Sequence, residues 1–87
     1  MKYRVEFTTA AARQVRKLPR PARDRVLDVI ESLAEDPRPR TARKLVGESG
    51  AWRVRVGEYR VIYDIMDVAL TVTVVRAGHR REVYGDR

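Results

Sequence analysis

The segment AWRVRVGEYRVIY, residues 51–63, places the strictest limits on how this chain can fold. Apolar residues alternate with polar ones on both sides of a Gly-Glu pair, and a period of two is typical of half-buried β-strands. Glycine at the first central position of a two-residue loop favours a type II′ turn, which sets the register of a hairpin. We therefore expect Val56 to lie opposite Tyr59, and Arg55 opposite Arg60.

The two faces of this hairpin differ in chemistry. The face expected to form the core carries Trp52, Val54, Val56, Tyr59, Val61 and Tyr63. Arg53, Arg55 and Arg60 share the opposite face, where like charges directly opposite one another destabilise a sheet. The arginines therefore indicate an anion-binding site, although a charged edge that prevents aggregation would give the same pattern.

The rest of the chain predicts an α+β fold in a single domain, residues 1–87, because a chain of 87 residues has room for one small core. A helical hairpin is expected to lie on a mainly antiparallel sheet of about four strands. The predicted elements are a strand over 2–7, helices over 9–18 and from Pro21 to Asp36, and strands over 51–56, 59–65 and 70–76.

The second helix is predicted to be strongly amphipathic. Its apolar face consists of Val26, Leu27, Val29, Ile30, Leu33 and Ala34, which recur at helical spacing. Asp24 is expected to place a negative charge in the first turn, where it would favour the helix dipole.

Composition narrows the class of partner. Lysine and arginine number 19 against 12 acidic residues, and 16 of the 19 are arginine. Arginine forms planar, bidentate contacts with phosphate, so a nucleic acid or an acidic protein is the expected partner. The absence of cysteine, of a long apolar run and of a signal-like N-terminus predicts a cytoplasmic protein with no membrane partner.

The residue inventory also limits the chemistry. The single His79 and two serines do not support a hydrolytic triad, and neither a metal site nor a cofactor is expected. Metal-free cleavage of RNA by its own 2′-hydroxyl stays compatible, because it needs only a base, a cationic group at the phosphate and a proton donor. A bend at Gly78 is expected to bring His79, Arg80, Arg81 and Tyr84 back to the arginines.

The motifs GEYRVIY and GHRREVY, with the opening YRVEFTTAAARQVRKLP, resemble the RelE/ParE superfamily of type II toxins, and most closely its RelE branch. This resemblance implies a ribosome-dependent mRNA endoribonuclease that cuts mRNA in the ribosomal A site. It also implies a cognate antitoxin, the ribosome and mRNA as partners, with operator DNA contacted only through the antitoxin. A ParE-like gyrase poison and a catalytically inactive homologue stay open as alternatives.

The resemblance assigns roles to individual residues. Arg60, Arg80 and Tyr84 are expected to be catalytic, with Tyr84 as base and Arg80 at the phosphate or leaving oxygen. Arg53, Arg55, His79 and Arg81 are expected to contact RNA. The best-known members carry lysine where this chain has Arg53 and Arg55, so these positions are expected to act electrostatically rather than by giving up a proton. His79 is the alternative base, because imidazole titrates near neutral pH.

Overall fold

The computed structural model describes residues 2–47 and 50–81. In chain order, two helices follow the first strand and precede the second. The predicted site residue Tyr84 falls outside this description. The elements are β1 (Arg4–Phe7), α1 (Thr9–Arg16), α2 (Arg20–Ser32), β2 (Arg43–Lys44), β3 (Ala51–Val56), β4 (Tyr59–Met66) and β5 (Thr71–His79). Neither of the two described helices has the length and apolar character needed to cross a membrane.

The described strands form one mixed sheet in the order β1-β5-β4-β3-β2. β1 runs parallel to β5, and the other three pairings are antiparallel. The α+β, mainly antiparallel prediction is therefore confirmed. The count of about four strands is wrong, because Arg43 and Lys44 pair with β3, and they lie between the predicted second helix and the predicted strand over 51–56.

The β3–β4 hairpin has the predicted register, with Val56 opposite Tyr59 and Arg55 opposite Arg60. Gly57 has a φ of 62°, and Glu58 has a negative φ. A type I′ turn needs positive φ at both central residues, so the turn is of the II′ kind that the sequence predicts.

The helices cover one face of this sheet and form the core there. Fully buried residues of α2, such as Val26 and Ile30, pack with Val61 and Tyr63 of β4. The Tyr63 hydroxyl donates a hydrogen bond of 2.8 Å to the carbonyl of Pro37. Burial raises the pKa of Tyr63 to about 12, so this phenol stays neutral. Its hydrogen bond holds the segment at Pro37 against the core.

The helix boundaries depart from prediction at α2. α1 begins as expected, with the Thr8 hydroxyl accepting a 3.0 Å hydrogen bond from the Ala11 amide. α2 begins at Arg20, so Asp24 lies beyond the first turn, and the helix ends at Ser32 rather than Asp36. Leu27 is 37% exposed and lies outside the apolar stripe that was predicted to include it.

A polar cluster of Tyr3, Arg38 and Asp67 joins three segments that are far apart in sequence, at the end of the sheet where β4 meets β5. Arg38 donates two hydrogen bonds to the Asp67 carboxylate, at 3.2 and 2.8 Å, and the Tyr3 hydroxyl donates a third at 2.6 Å. The Arg38 guanidinium also lies 5.5 Å from the centre of the Trp52 ring. The bonds from Arg38 and Tyr3 lower the pKa of Asp67 to about 2.

We expect this cluster to make stability depend on acid. Because the pKa of Asp67 is lower in the folded chain than in the unfolded one, its contribution is complete above about pH 4 and is lost as the pH falls towards 2. Asp67→Asn should lower the unfolding midpoint at pH 7 and weaken its decline between pH 4 and pH 2. If the unfolding midpoints of the two proteins fall in parallel between pH 4 and pH 2, this role of Asp67 is contradicted.

Candidate functional site

Five arginines meet on the sheet face opposite the helices. Arg55 lies opposite Arg60, and the next row across the sheet contains Arg43, Arg53, Ile62 and Arg76 in that order. Neighbouring strands are about 4.8 Å apart, so these side chains lie close enough to contact one bound strand of phosphates. We call Arg43, Arg53, Arg55, Arg60 and Arg76 the arginine face.

The carboxylates on this side of the sheet stand apart from the arginines. Asp64 and Glu6 both flank Thr73, in a separate row beyond Ile62. Arg60 and Arg55 lie on the far side of Ile62 from that row, towards the Gly57 turn. The face is therefore divided into a mixed polar end and a strongly cationic end.

A β-bulge in β5 brings Arg76 to this face. Ile62 pairs with Arg76 whereas the next residue, Tyr63, pairs with Val74, so Val75 is the extra residue. Strict alternation from Val74 would have pointed Arg76 into the core. The bulge instead leaves Arg76 exposed and buries Ala77.

Gly78 lies directly opposite Arg60 in the same strand pair. β5 continues through Gly78 to His79, so the predicted bend at this glycine is wrong. Gly78 is buried, and since glycine has no side chain, β5 contributes only backbone beside Arg60 in this row.

The arginines differ in how firmly the fold holds them. Arg60 is 8% exposed and Arg53 is half-buried, whereas Arg55 and Arg76 are exposed. A small apolar cluster of Ala51, Leu45, Ile62 and Val75 packs on the same side of the sheet. The Nε atom of Arg53 is buried without a hydrogen-bond acceptor among residues 2–47 and 50–81, which is an uncommon state for a charged donor.

His79 lies on the other side of the sheet from Arg60. It pairs with Tyr59, and the two rings meet edge to face with centroids 5.7 Å apart. The bulge causes this, because it reverses the alternation of β5 beyond Val75. The expected convergence of His79 on the arginine face is therefore wrong in geometry, and its expected RNA contact stays a prediction.

Arg80 and Arg81 lie at the end of the sheet beside the Gly57 turn. The Arg80 amide donates a 2.9 Å hydrogen bond to the carbonyl of Glu58, and its Nη1 lies 3.9 Å from Glu58 Oε1. The Arg81 amide donates to His79 Nδ1 at 3.3 Å. With His79 and Glu58, both arginines line an open cleft of about 460 Å³. Glu58 is a member of this site that the sequence did not single out.

No group of three His, Asp or Glu side chains within the described ranges has the arrangement needed to hold a metal ion. Tyr84 lies outside those ranges, so its predicted role rests on the sequence.

Comparison with known proteins gives the family. Residues 5–84 match the family described as the ParE toxin of type II toxin-antitoxin systems. The chain belongs to the RelE/ParE toxin family. This toxin is 36% identical over 86 residues to Toxin RelG of Mycobacterium tuberculosis (strain ATCC 25618 / H37Rv), covering 97% of this chain and 98% of RelG.

Solved structures of RelE proteins share the fold of this toxin. It matches the toxin-antitoxin complex RelBE2 of M. tuberculosis with a TM-score of 0.82 at 35% identity, covering 92% of this chain and 93% of that one. The archaeal RelE-RelB complex of Pyrococcus horikoshii OT3 gives 0.79 at 28% identity, with 92% and 97% covered. The isolated E. coli RelE toxin gives 0.79 at 27% identity, with 97% and 93% covered.

Proposed function

We propose that this toxin is a ribosome-dependent mRNA endoribonuclease that inhibits translation. The observation that carries the proposal is the arginine face, where Arg55 and Arg60 lie side by side next to Gly78. Like charges opposite each other on a sheet destabilise the free protein, and a bound phosphate relieves that repulsion. An RNA backbone supplies successive phosphates, which several arginines can contact together.

The proposed reaction is attack by the ribose 2′-oxygen on the adjacent phosphorus. A base takes the 2′-hydroxyl proton, the bond to the 5′-oxygen breaks, and a proton returns to that leaving oxygen. The products are a 2′,3′-cyclic phosphate and a 5′-hydroxyl. Attack requires the 2′-oxygen in line with the leaving oxygen, and we assign that alignment to the ribosome-bound mRNA.

Three residues divide the work in this proposal. Tyr84 acts as the base, Arg60 binds the phosphate group under attack, and Arg80 stabilises charge on the phosphate or leaving oxygen. A buried, fixed guanidinium such as Arg60 suits this role, because little reorganisation is needed when charge develops. Arg53 and Arg55 bind neighbouring phosphates.

The contacts of His79 favour a binding role over that of the base. A neutral imidazole has one ring nitrogen that accepts a proton, and here Nδ1 already accepts the Arg81 amide. In that arrangement Nε2 carries the proton and can only donate. We therefore place His79 and Arg81 among the groups that contact RNA.

A cognate antitoxin is part of the proposal. The similar M. tuberculosis and P. horikoshii structures are both toxin–antitoxin complexes. We propose that this toxin is neutralised in the same way, and that it reaches operator DNA only through the antitoxin.

The test gives the same purified toxin two possible targets, the translating ribosome and DNA gyrase. Purified toxin is added to a reconstituted translation reaction, and mRNA ends are mapped by primer extension. The same toxin is added to DNA gyrase with supercoiled plasmid, since the matching family is named for ParE. Cleavage of mRNA only in the presence of ribosomes supports the proposal. Cleaved plasmid complexes with intact mRNA would replace it with the gyrase poison.

We expect Arg55→Glu to weaken binding to ribosomes and to reduce the slope of log affinity against log salt by about one. Folding should be preserved or slightly improved, because the new carboxylate faces Arg60 across the hairpin. Lys44→Glu is the matched control, since Lys44 is exposed and pairs with Trp52, on the other side of the sheet. Equal effects of both variants on ribosome binding would contradict a specific role for Arg55.

A further inference from the structure

A second cationic surface lies on the helical hairpin, apart from the arginine face. Residues 13–25 contain six basic side chains and a single acidic one. Arg16, Lys17 and Arg20 are exposed where α1 gives way to α2, and Arg23 is half-buried beside them. We call these four residues the basic tip.

The basic tip lies at the same end of the molecule as the cleft. The Gln14 side chain accepts a 2.9 Å hydrogen bond from the Ala77 amide, so the end of α1 follows β5 towards His79. On α2, Arg25 Nη2 lies within 3.9 Å of where a side chain on Gly57 would begin. The first part of α2, which carries Arg20 and Arg23, therefore passes near the end of the sheet where Arg55 and Arg60 lie.

Requirements of the fold account for only part of this charge. Arg23 donates a 3.3 Å hydrogen bond to the Arg16 carbonyl and so helps to join the helices. Cations at the C-terminal end of α1 also favour its dipole. Arg20, however, lies at the first residue of α2, where a cation opposes the dipole, and no acidic residue occupies that turn.

The basic tip keeps its charge available. Arg16, Lys17 and Arg20 make no ion pair with any acidic residue in the described part of the chain. Of the large exposed apolar side chains that the structure describes, Leu27 follows Arg23 by one turn of α2, and Phe7 lies at the end of β1. Protein interfaces depend on apolar and aromatic anchors, whereas a phosphate backbone needs only cations.

We propose that the basic tip is a second RNA-binding surface, which contacts the phosphate backbone of ribosomal RNA outside the cleaved nucleotides. The inference rests on the proposed function and deepens it. The arginine face grips the mRNA at the scissile phosphate, and the basic tip orients the toxin on the ribosome. Because the tip contacts neither the reacting atoms nor the cleft, it contributes to binding and leaves the chemical step unchanged.

Arg20→Glu tests this surface with little risk to the fold, because a carboxylate at the start of α2 favours the dipole. The double variant Arg16→Glu/Arg20→Glu tests whether the effect grows. Lys2→Glu is the control, with the same change in charge on an exposed side chain before β1, beside Glu35. Binding to purified ribosomes is measured against salt, and cleavage is followed at limiting and saturating ribosome concentrations.

We expect Arg20→Glu to weaken ribosome binding about fivefold, the scale of one exposed ionic contact, and to reduce the log–log salt slope by about one. KM for ribosomes should rise while kcat stays equal to that of the unchanged toxin, and the unfolding midpoint should stay level or increase.

Binding and salt slope equal to those of Lys2→Glu would overturn the proposal, as would a loss of kcat with binding preserved. Weakened antitoxin binding with unchanged ribosome binding would assign the tip to an acidic protein and also overturn it. If the unchanged toxin cuts no mRNA yet Arg20→Glu still weakens ribosome binding, the nuclease proposal fails and the surface stands.

Discussion

Replacement of Tyr84 by phenylalanine is expected to reduce mRNA cleavage on programmed ribosomes about 100-fold or more, the usual scale for loss of a general base. The change removes one oxygen and very little volume, so the unfolding midpoint and antitoxin binding should be preserved. Initial rates at saturating ribosomes, with cleavage sites mapped by primer extension, measure the effect.

Two further variants make this result specific. Arg80→Ala removes the proposed phosphate-stabilising group and the weak 3.9 Å ion pair with Glu58, and should reduce cleavage by a similar factor. His79→Ala should have a much smaller effect, because His79 packs against Tyr59 on the other side of the sheet. Normal cleavage by Tyr84→Phe together with an inactive His79→Ala would show that the histidine is the base.

Truncation of Leu33 to alanine should be the most damaging single change to stability. Leu33 is fully buried where α2 ends, within the cluster that includes Val26, Ile30 and Tyr63. Removing a buried leucine side chain costs about 2–5 kcal/mol, from a total that is only about 5–15 kcal/mol for a small domain. Urea unfolding followed by circular dichroism should show a large decrease in the midpoint.

Leu27→Ala, within α2, is the matched control. Leu27 is 37% exposed, so the same truncation should cost about 1 kcal/mol or less. Similar midpoints for the two variants would mean that the buried stripe of α2 is not what holds the helix to the sheet. If Leu33→Ala does not fold at all, Leu33→Val provides the measurable intermediate.

The β3–β4 hairpin could be predicted from sequence because two independent signals agree there. The alternation of AWRVRV and YRVIY and the glycine of the turn demand the same register, so the pairing of Arg55 with Arg60 followed directly. β2 could not be predicted in this way, since two residues are too short to show any alternation. Its assignment depends on β3 being there to pair with.

The errors around β5 have one physical cause. Alternation in the segment VTVVRAGH predicts a regular strand followed by a bend, whereas a bulge at Val75 shifts the alternation. That shift moved Arg76 onto the arginine face and moved His79 away from it. The sequence does contain a sign of the bulge. Regular alternation would place Arg76 in the core, and an arginine there requires some local departure from regular pairing.

The bulge also means that β5 can lose one particular residue without exchanging its faces. Val75 is the extra residue, so its deletion would restore regular alternation and leave Arg76 on the arginine face and Ala77 in the core. A deletion between Val72 and Val74 that left the bulge in place would instead shift the side chains before it. Relatives that lack a residue at the position of Val75 can therefore keep the same charge on the site and the same side chains in the core.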